Sequence, residues 1–221
     1  MITNRKELEF YLKADMMMNR GYFKKPLSRL LYELIIPDDV MKYLRAMRKF
    51  CYYSFLSTGG GMFRKLFYFP IQLFYKRRFT LLGYKLGFSI GADCFGYGLV
   101  FHHHGSIIVG PSNRIGNYAL LNTSTCIVDR GTRIGNGLFM GSGAVLSKKI
   151  ILGSNVLVGA NAVVNKSFPE GKVLIAGIPA TIIKNIDGPW YESLYRDFWK
   201  KRHDEVENLK EKMRISIIDE N

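Results

Sequence analysis

The chain has 221 residues, 48% of them hydrophobic and 23% charged, with a formal net charge of +14. That length suggests one large domain or two small ones, with ample apolar content for a core. The charge is uneven: residues 1–87 hold 17 Lys and Arg against 6 Asp and Glu, residues 88–187 hold 8 against 4, and residues 188–221 hold 7 against 8. The basic character therefore belongs to the N-terminal segment. None of the usual nucleic-acid-binding motifs accompanies it, so an anionic membrane surface or an anionic glycan is the better expected partner. Cys51, Cys94 and Cys126 are an odd set without paired or metal-like spacing, which favours a reducing compartment. The opening MITNRKELEFYLKAD is too polar for a signal peptide, and the apolar run over residues 66–75 is too short to span a bilayer and contains Pro70. A soluble cytoplasmic protein is expected.

Residues 1–86 read as helical. KELEFYLKAD, PLSRLLYEL and PDDVMKYLRAMRKFCYYSFLS place apolar residues at three- and four-residue spacing. Pro26 and Pro37 sit near helix starts, with Asp38 and Asp39 opposing the helix dipole in a first turn. Gly59, Gly60 and Gly61 break the pattern before GMFRKLFYFPIQLFYKRRFTLLGYKLG, where aromatics interleave with Arg64, Lys65, Lys76, Arg77 and Arg78. Two readings stay open. One is an amphipathic helix packed on the body or on another subunit. The other is a peripheral membrane contact through residues 62–80, at the inner face of the membrane, reaching lipid-linked substrate.

A six-residue ladder follows. Val109, Ile115, Leu121 and Ile127 lead, after one seven-residue step, to Ile134, Met140, Leu146, Leu152, Val158 and Val164. Glycine directly follows six of them, at positions 110, 116, 135, 141, 153 and 159. Neither a helix nor an ordinary strand gives that period. A coil with three flat faces does, each face supplying one inward side chain and one turn, and stacked coils bury the aliphatic column. Phe95 and Phe101 extend the period upstream, so the β-helix begins near Phe88 and closes at VLIAGIPATIIKN with Pro179. The predicted fold is mainly β: a parallel β-helix of hexapeptide repeats over residues 87–186. A helical segment (1–86) precedes it, and an extension (187–221) follows with a charged helix over residues 191–214. Trp190 and Trp199 are expected to dock that extension.

Three of the four histidines are consecutive: His102, His103 and His104, followed by Gly105. Histidine is the natural general base near neutral pH. Metal binding is disfavoured, because adjacent residues of an extended chain point to opposite sides and no further histidine lies on a neighbouring coil. A purely structural turn is the plain alternative.

The string GYGLVFHHHGSIIVG resembles the active-site coil of serine acetyltransferase-like hexapeptide acyltransferases. GSGAVL, LGSNVLVGANAVVNKSFP and AGIPA continue the resemblance over roughly residues 87–185. LGFSI, the helical N-terminal segment and the absence of long insertions look most like the branch found in capsule and O-antigen polysaccharide loci. The resemblance implies a left-handed coil and a homotrimer, with a dimer of trimers as a further option. It also implies acetyl-CoA in the groove between neighbouring subunits, with no metal. His103 would take a proton from an acceptor hydroxyl and then protonate the departing thiolate, with backbone N–H groups stabilising the oxyanion. Ser142, Ala144, Gly159 and Ala160 match positions along the CoA arm. Lys166 and Lys184 would meet its phosphates, the alternative being ordinary solvated lysines. No covalent intermediate is needed, so Cys126 reads as a buried small apolar residue.

Departures from the family pattern bear on the acceptor. Ser89 falls nearest the place of the aspartate that orients the histidine, and Asp93 is the nearby carboxylate; a backbone carbonyl could serve instead. His102 replaces an acidic residue before the catalytic histidine. VDRGTRIG keeps Arg130, but Gly131 takes the place of a histidine that grips the serine carboxylate. Those losses should cost several kcal/mol for a zwitterion. His102, His104 and Arg130 are acceptor-binding candidates. The expected activity is O-acetylation of a sugar hydroxyl in a surface polysaccharide or its lipid-linked or nucleotide-linked precursor. Serine O-acetylation for cysteine synthesis is the alternative, although the ending SIIDEN lacks the terminal isoleucine such enzymes offer a partner. A non-catalytic β-helix scaffold is the reading from another class.

Overall fold

The computed structural model describes residues 2–21, 37–59, 61–193 and 196–216. Helix α1 (Arg5–Arg20) starts at Asn4, whose side chain accepts from the Glu7 amide, and Glu7 reaches back to Thr3. Helix α2 (Asp39–Thr58) is capped by Asp38, which accepts from the Met41 amide at 3.1 Å. These caps satisfy amides that the first turn leaves without partners. The helix expected at PLSRLLYEL, with Pro26, lies outside the described residues. Helix α3 (Met62–Leu86) is continuous through Pro70 and ends at Gly87, where φ of +78° closes the helix in the left-handed region.

From Phe88 the chain coils through three sheets, as the ladder predicts, parallel throughout except for the last strand of the third. The first holds β1 (Phe88–Ile90), β3 (Ile107–Val109), β6 (Thr125–Ile127), β9 (Val145–Leu146) and β12 (Val163–Val164). The second holds β4 (Arg114–Ile115), β7 (Arg133–Ile134) and β10 (Ile151–Leu152). The third holds β2 (Val100–Phe101), β5 (Leu120–Leu121), β8 (Phe139–Met140), β11 (Val156–Val158), β13 (Val173–Gly177) and β14 (Ala180–Asn185). All ten ladder residues point inward and none is more than 5% exposed. Each such burial contributes about 1.5–3 kcal/mol. The seven-residue step is a corner, residues 128–132, between the first and second sheets. There Ser112 donates its amide (2.8 Å) and its hydroxyl to Asp129, and Gly131 has φ of +73° with open space around it.

Polar side chains of the helices engage the backbone of the first coil, and an antiparallel strand ends the third sheet. At the first coil the Asn19 side chain stands in for a further strand: its amide donates to Leu99 O (2.8 Å) and its oxygen accepts from the Phe101 amide (3.3 Å). Beside it, Arg48 of α2 pairs with Asp15 of α1 and donates to Phe95 O (2.8 Å) and Gly96 O (2.6 Å), while Asp15 accepts from the Leu99 amide at 3.0 Å. Tyr43, Phe79, Phe88 and Phe101 join α2 and α3 to the same coil.

At the other end the polar residues after Pro179 do more than close the coil. They form β14, which turns back antiparallel on β13. The expected C-terminal helix is α4 (Trp190–Ser193) followed by α5 (Arg196–Lys212). Trp190 is buried and donates to Tyr118 O at 2.8 Å, with Trp199 packed on its ring, so both tryptophans dock the extension. Glu207 of α5 accepts from the Tyr97 and Tyr118 hydroxyls, and the buried phenol of Tyr118 is held well above its ordinary range, by burial first, then by the neighbouring Tyr97 and by that carboxylate.

Candidate functional site

Three corners run down the coil. The one between the third and first sheets carries the histidine triplet at residues 102–106. His102, His103 and His104 are all exposed. Gly105 has φ of +129°, and a β-carbon there would stand 2.3 Å from Thr123 Oγ1, so the close stacking of two coils demands glycine. The Gly105 amide donates to Leu86 O (2.9 Å) and the Ile107 amide to Gly87 O (3.1 Å), which ties the corner to the C-terminal end of α3.

Register sets the triplet's environment. Phe101 pairs with Leu121, so His102 sits beside Asn122 of the next coil. The Asn122 amide nitrogen donates to Met140 O at 2.8 Å, which turns its oxygen toward His102 Nδ1 at 3.1 Å. That oxygen can only accept, so in the neutral ring Nδ1 carries the proton and Nε2 keeps a free lone pair. His103 leans on the His102 ring with centroids 4.4 Å apart. The rings of His103 and His104 make no hydrogen bond among the described residues.

The sequence reading missed Asn122. Its signal is the ladder itself, because the residue after Leu121 must stack on the residue after Phe101. The two expected orienters are placed otherwise. Ser89 is exposed in the middle of β1, opposite Ile108, and makes no hydrogen bond to a histidine among the described residues. Asp93 lies on the next corner, between the first and second sheets, near Cys51 and Cys94. Burial, with the Asp93 charge adding, pushes both of those thiols up to about 12.

Three of the four small residues stand on the histidine edge. Residues 122–124, 141–143 and 159–161 stack beneath the triplet, linked by Asn122 N to Met140 O (3.2 Å), Gly143 N to Thr123 O (3.2 Å) and Asn161 N to Ser142 O (2.9 Å). Ser142 and Ala160 are exposed there. Gly159 is small for a local reason as well, since an added β-carbon would lie 2.9 Å from that of Ala176. Ala144 turns its side chain into the core, where it is fully buried, because it shares the inward parity of Leu146; only its backbone faces the edge.

The charged candidates lie elsewhere. Arg130 and Lys166 are exposed on the corner between the first and second sheets, and the Lys166 ammonium sits 5.4 Å over the Phe168 ring. Lys184 is exposed on β14. Within one chain none of the three is on the histidine edge. Cys126 corrects another expectation: it is half-buried on the outer face of β6, where alternation places the neighbour of inward Ile127. Burial raises its thiol, which leaves it un-ionised and a poor nucleophile. Among the described residues no group of three or more His, Cys, Asp or Glu could hold a metal ion, and no helix is long and apolar enough to cross a membrane.

No protein-family model and no curated protein sequence matches the chain. Solved structures do. A Brucella melitensis serine O-acetyltransferase, described as a bacterial transferase hexapeptide repeat, is 20% identical with a TM-score of 0.55, covering 81% of this chain and 69% of its own. A serine acetyltransferase in complex with CoA is 21% identical with a TM-score of 0.57, covering 81% and 71%. Soybean serine acetyltransferase complexed with serine is 21% identical with a TM-score of 0.58, covering 80% and 70%. The likeness establishes the fold. It is the left-handed hexapeptide β-helix flanked by helices, as the resemblance implied, and it runs against the general preference for right-handed crossovers.

Proposed function

We propose that the chain is an acetyl-CoA-dependent O-acetyltransferase acting on a sugar hydroxyl of a surface polysaccharide or its precursor, with His103 as general base. The observation that carries the reading is the histidine edge: an exposed imidazole pair in tilted ring contact at the head of a column of small residues, on a fold shared with acetyltransferases. Acetyl-CoA supplies an activated acyl group as a thioester. His103 accepts the proton of the acceptor hydroxyl as that oxygen bonds to the acyl carbon, and returns it to the departing sulfur. Backbone N–H groups of the edge stabilise the oxyanion. His102, held by Asn122 and in contact with the His103 ring, helps to position that ring.

We place the CoA arm along Ser142, Gly159, Ala160 and the backbone at Ala144, in a homotrimer. There the histidine edge of one chain faces the Arg130 and Lys166 corner of the next, and Lys184 lies near the phosphates. A cytoplasmic setting suits the three unpaired thiols. A sugar acceptor is favoured over serine because the corner at Gly131 is open and no carboxylate hydrogen-bonds to the triplet among the described residues. The likeness to serine acetyltransferases supports serine O-acetylation as the second reading. One observation also favours a second base: His102 is the imidazole whose proton Asn122 fixes on Nδ1, leaving Nε2 free.

Thiol release from acetyl-CoA, measured against serine and a panel of sugar acceptors, tests the whole. Turnover with sugars that His103→Ala abolishes and His102→Ala only slows is expected. Efficient turnover with serine overturns the acceptor. Full activity in His103→Ala with loss in His102→Ala moves the base to His102. Neither turnover nor CoA binding leaves a scaffold.

A further inference from the structure

Helix α3 has two apolar faces. One packs on α2: Tyr75 stacks on Tyr53 at 5.4 Å, Phe79 lies against Tyr43, and the Gln72 amide reaches Ser54. The opposite face is bare. Met62, Phe63, Leu66, Phe67, Leu73 and Phe74 are each more than half exposed, the highest being Phe63 at 89%. A globular surface scatters such residues singly, and a contiguous stripe of them marks an interaction site.

The charges say what covers it. At 100° per residue, Arg64 and Arg78 border the stripe on one side and Lys65 and Lys76 on the other, with Arg77 inside it. The helix carries no Asp or Glu, and Lys85, near its end, pairs with Asp39 of α2 at 2.5 Å. Long basic side chains can bury their stems along the apolar stripe and lift their charged ends to anionic headgroups. A second copy docked on the same face would instead bring two sets of like charges together. We propose that α3 is a membrane-surface anchor, lying flat with its outward stripe in the interface of an anionic bilayer. Its C-terminal end is hydrogen-bonded to the histidine corner through Leu86 O and Gly87 O, so the anchor holds that corner close to the lipid surface. The bland face of the same helix, the one packed on α2, keeps the rod fixed to the body.

The test uses the full chain and vesicles of phosphatidylcholine with or without phosphatidylglycerol, and reads flotation, not catalysis, so it stands or falls apart from the acetyltransferase reading. Flotation is expected only with phosphatidylglycerol and is reversed by high salt. The exposed triple variant Phe63→Ser, Phe67→Ser, Phe74→Ser should partition about 100-fold more weakly. Arg64→Gln with Arg78→Gln should weaken binding by about 25-fold, at about five-fold per charge near the surface. The same thermal midpoint in wild type and variants shows that the body is intact. The proposal is overturned by absence of flotation with phosphatidylglycerol vesicles at low salt, or by wild-type flotation of the folded triple variant. It is equally overturned if the triple variant dissociates a larger assembly while wild type binds no vesicle, because a second copy then covers the stripe.

Discussion

Arg48→Ala should be among the most damaging single changes outside the coil. Arg48 and Asp15 are 2% and 1% exposed, and the guanidinium satisfies the carboxylate together with Phe95 O and Gly96 O. Removing it leaves a buried carboxylate with backbone donors alone and orphans two carbonyls of the first coil. Breaking a buried pair costs about 3–5 kcal/mol. For a chain of this size that lowers the thermal midpoint by about 6–20 °C. Calorimetry measures the loss, and amide exchange locates it: Leu99, which donates to Asp15, should exchange faster together with Phe101, which donates to Asn19. Because these residues lead directly into His102, the histidine corner should loosen with them. The Asp15→Ala, Arg48→Ala double variant should lose about 1–3 kcal/mol less than the sum of the singles. A single-variant loss below about 1 kcal/mol, or strict additivity, refutes the clamp as one unit.

Other expectations follow from single contacts. The Tyr43 hydroxyl is buried with no hydrogen-bond partner among the described residues, so Tyr43→Phe should leave stability unchanged or raise it by about 1 kcal/mol in urea unfolding, and a clear loss would reveal a partner. With thiols pushed up to about 12 by burial, Cys51 and Cys94 should resist an aromatic disulfide reagent in the native state while half-buried Cys126 reacts first; equal rates for all three contradict this. Ala160→Trp adds bulk to an exposed position of the histidine edge. Calorimetric titration should show CoA binding lost with the thermal midpoint unchanged, and wild-type binding would move the CoA arm off this edge.

The ladder was legible because one aliphatic per face is a strong constraint: a shift of one residue would turn every rung outward. The same parity could have placed Ala144 inward and Cys126 outward, since each is fixed by its distance from Leu146 or Ile127. Asn122 was legible only once coils are stacked in register, 20 residues from His102. The Asn19, Asp15 and Arg48 clamps were not legible. Their partners lie 33 to 84 residues away, and polar residues on amphipathic helices give no sign of which backbone groups they will satisfy. The two faces of α3 hid each other for a related reason: opposed apolar stripes cancel in any single-face periodicity.

The division of candidates between two corners makes a prediction that a one-chain site cannot match. His103 stands on one edge of the coil, and Arg130 stands on another. In the proposed trimer, each acceptor site takes His103 from one chain and Arg130 from its neighbour. His103→Ala and Arg130→Ala chains, each inactive alone and refolded together in equal amounts, should then regain about a quarter of wild-type turnover. The reason is that one interface in four joins an intact histidine to an intact arginine when subunits mix at random. If both residues served a site within a single chain, every site in the mixture would still lack one of them and no activity would return. Thiol release by the mixture, with unmixed variants as the baseline, decides between the two, and a flat baseline refutes the shared site.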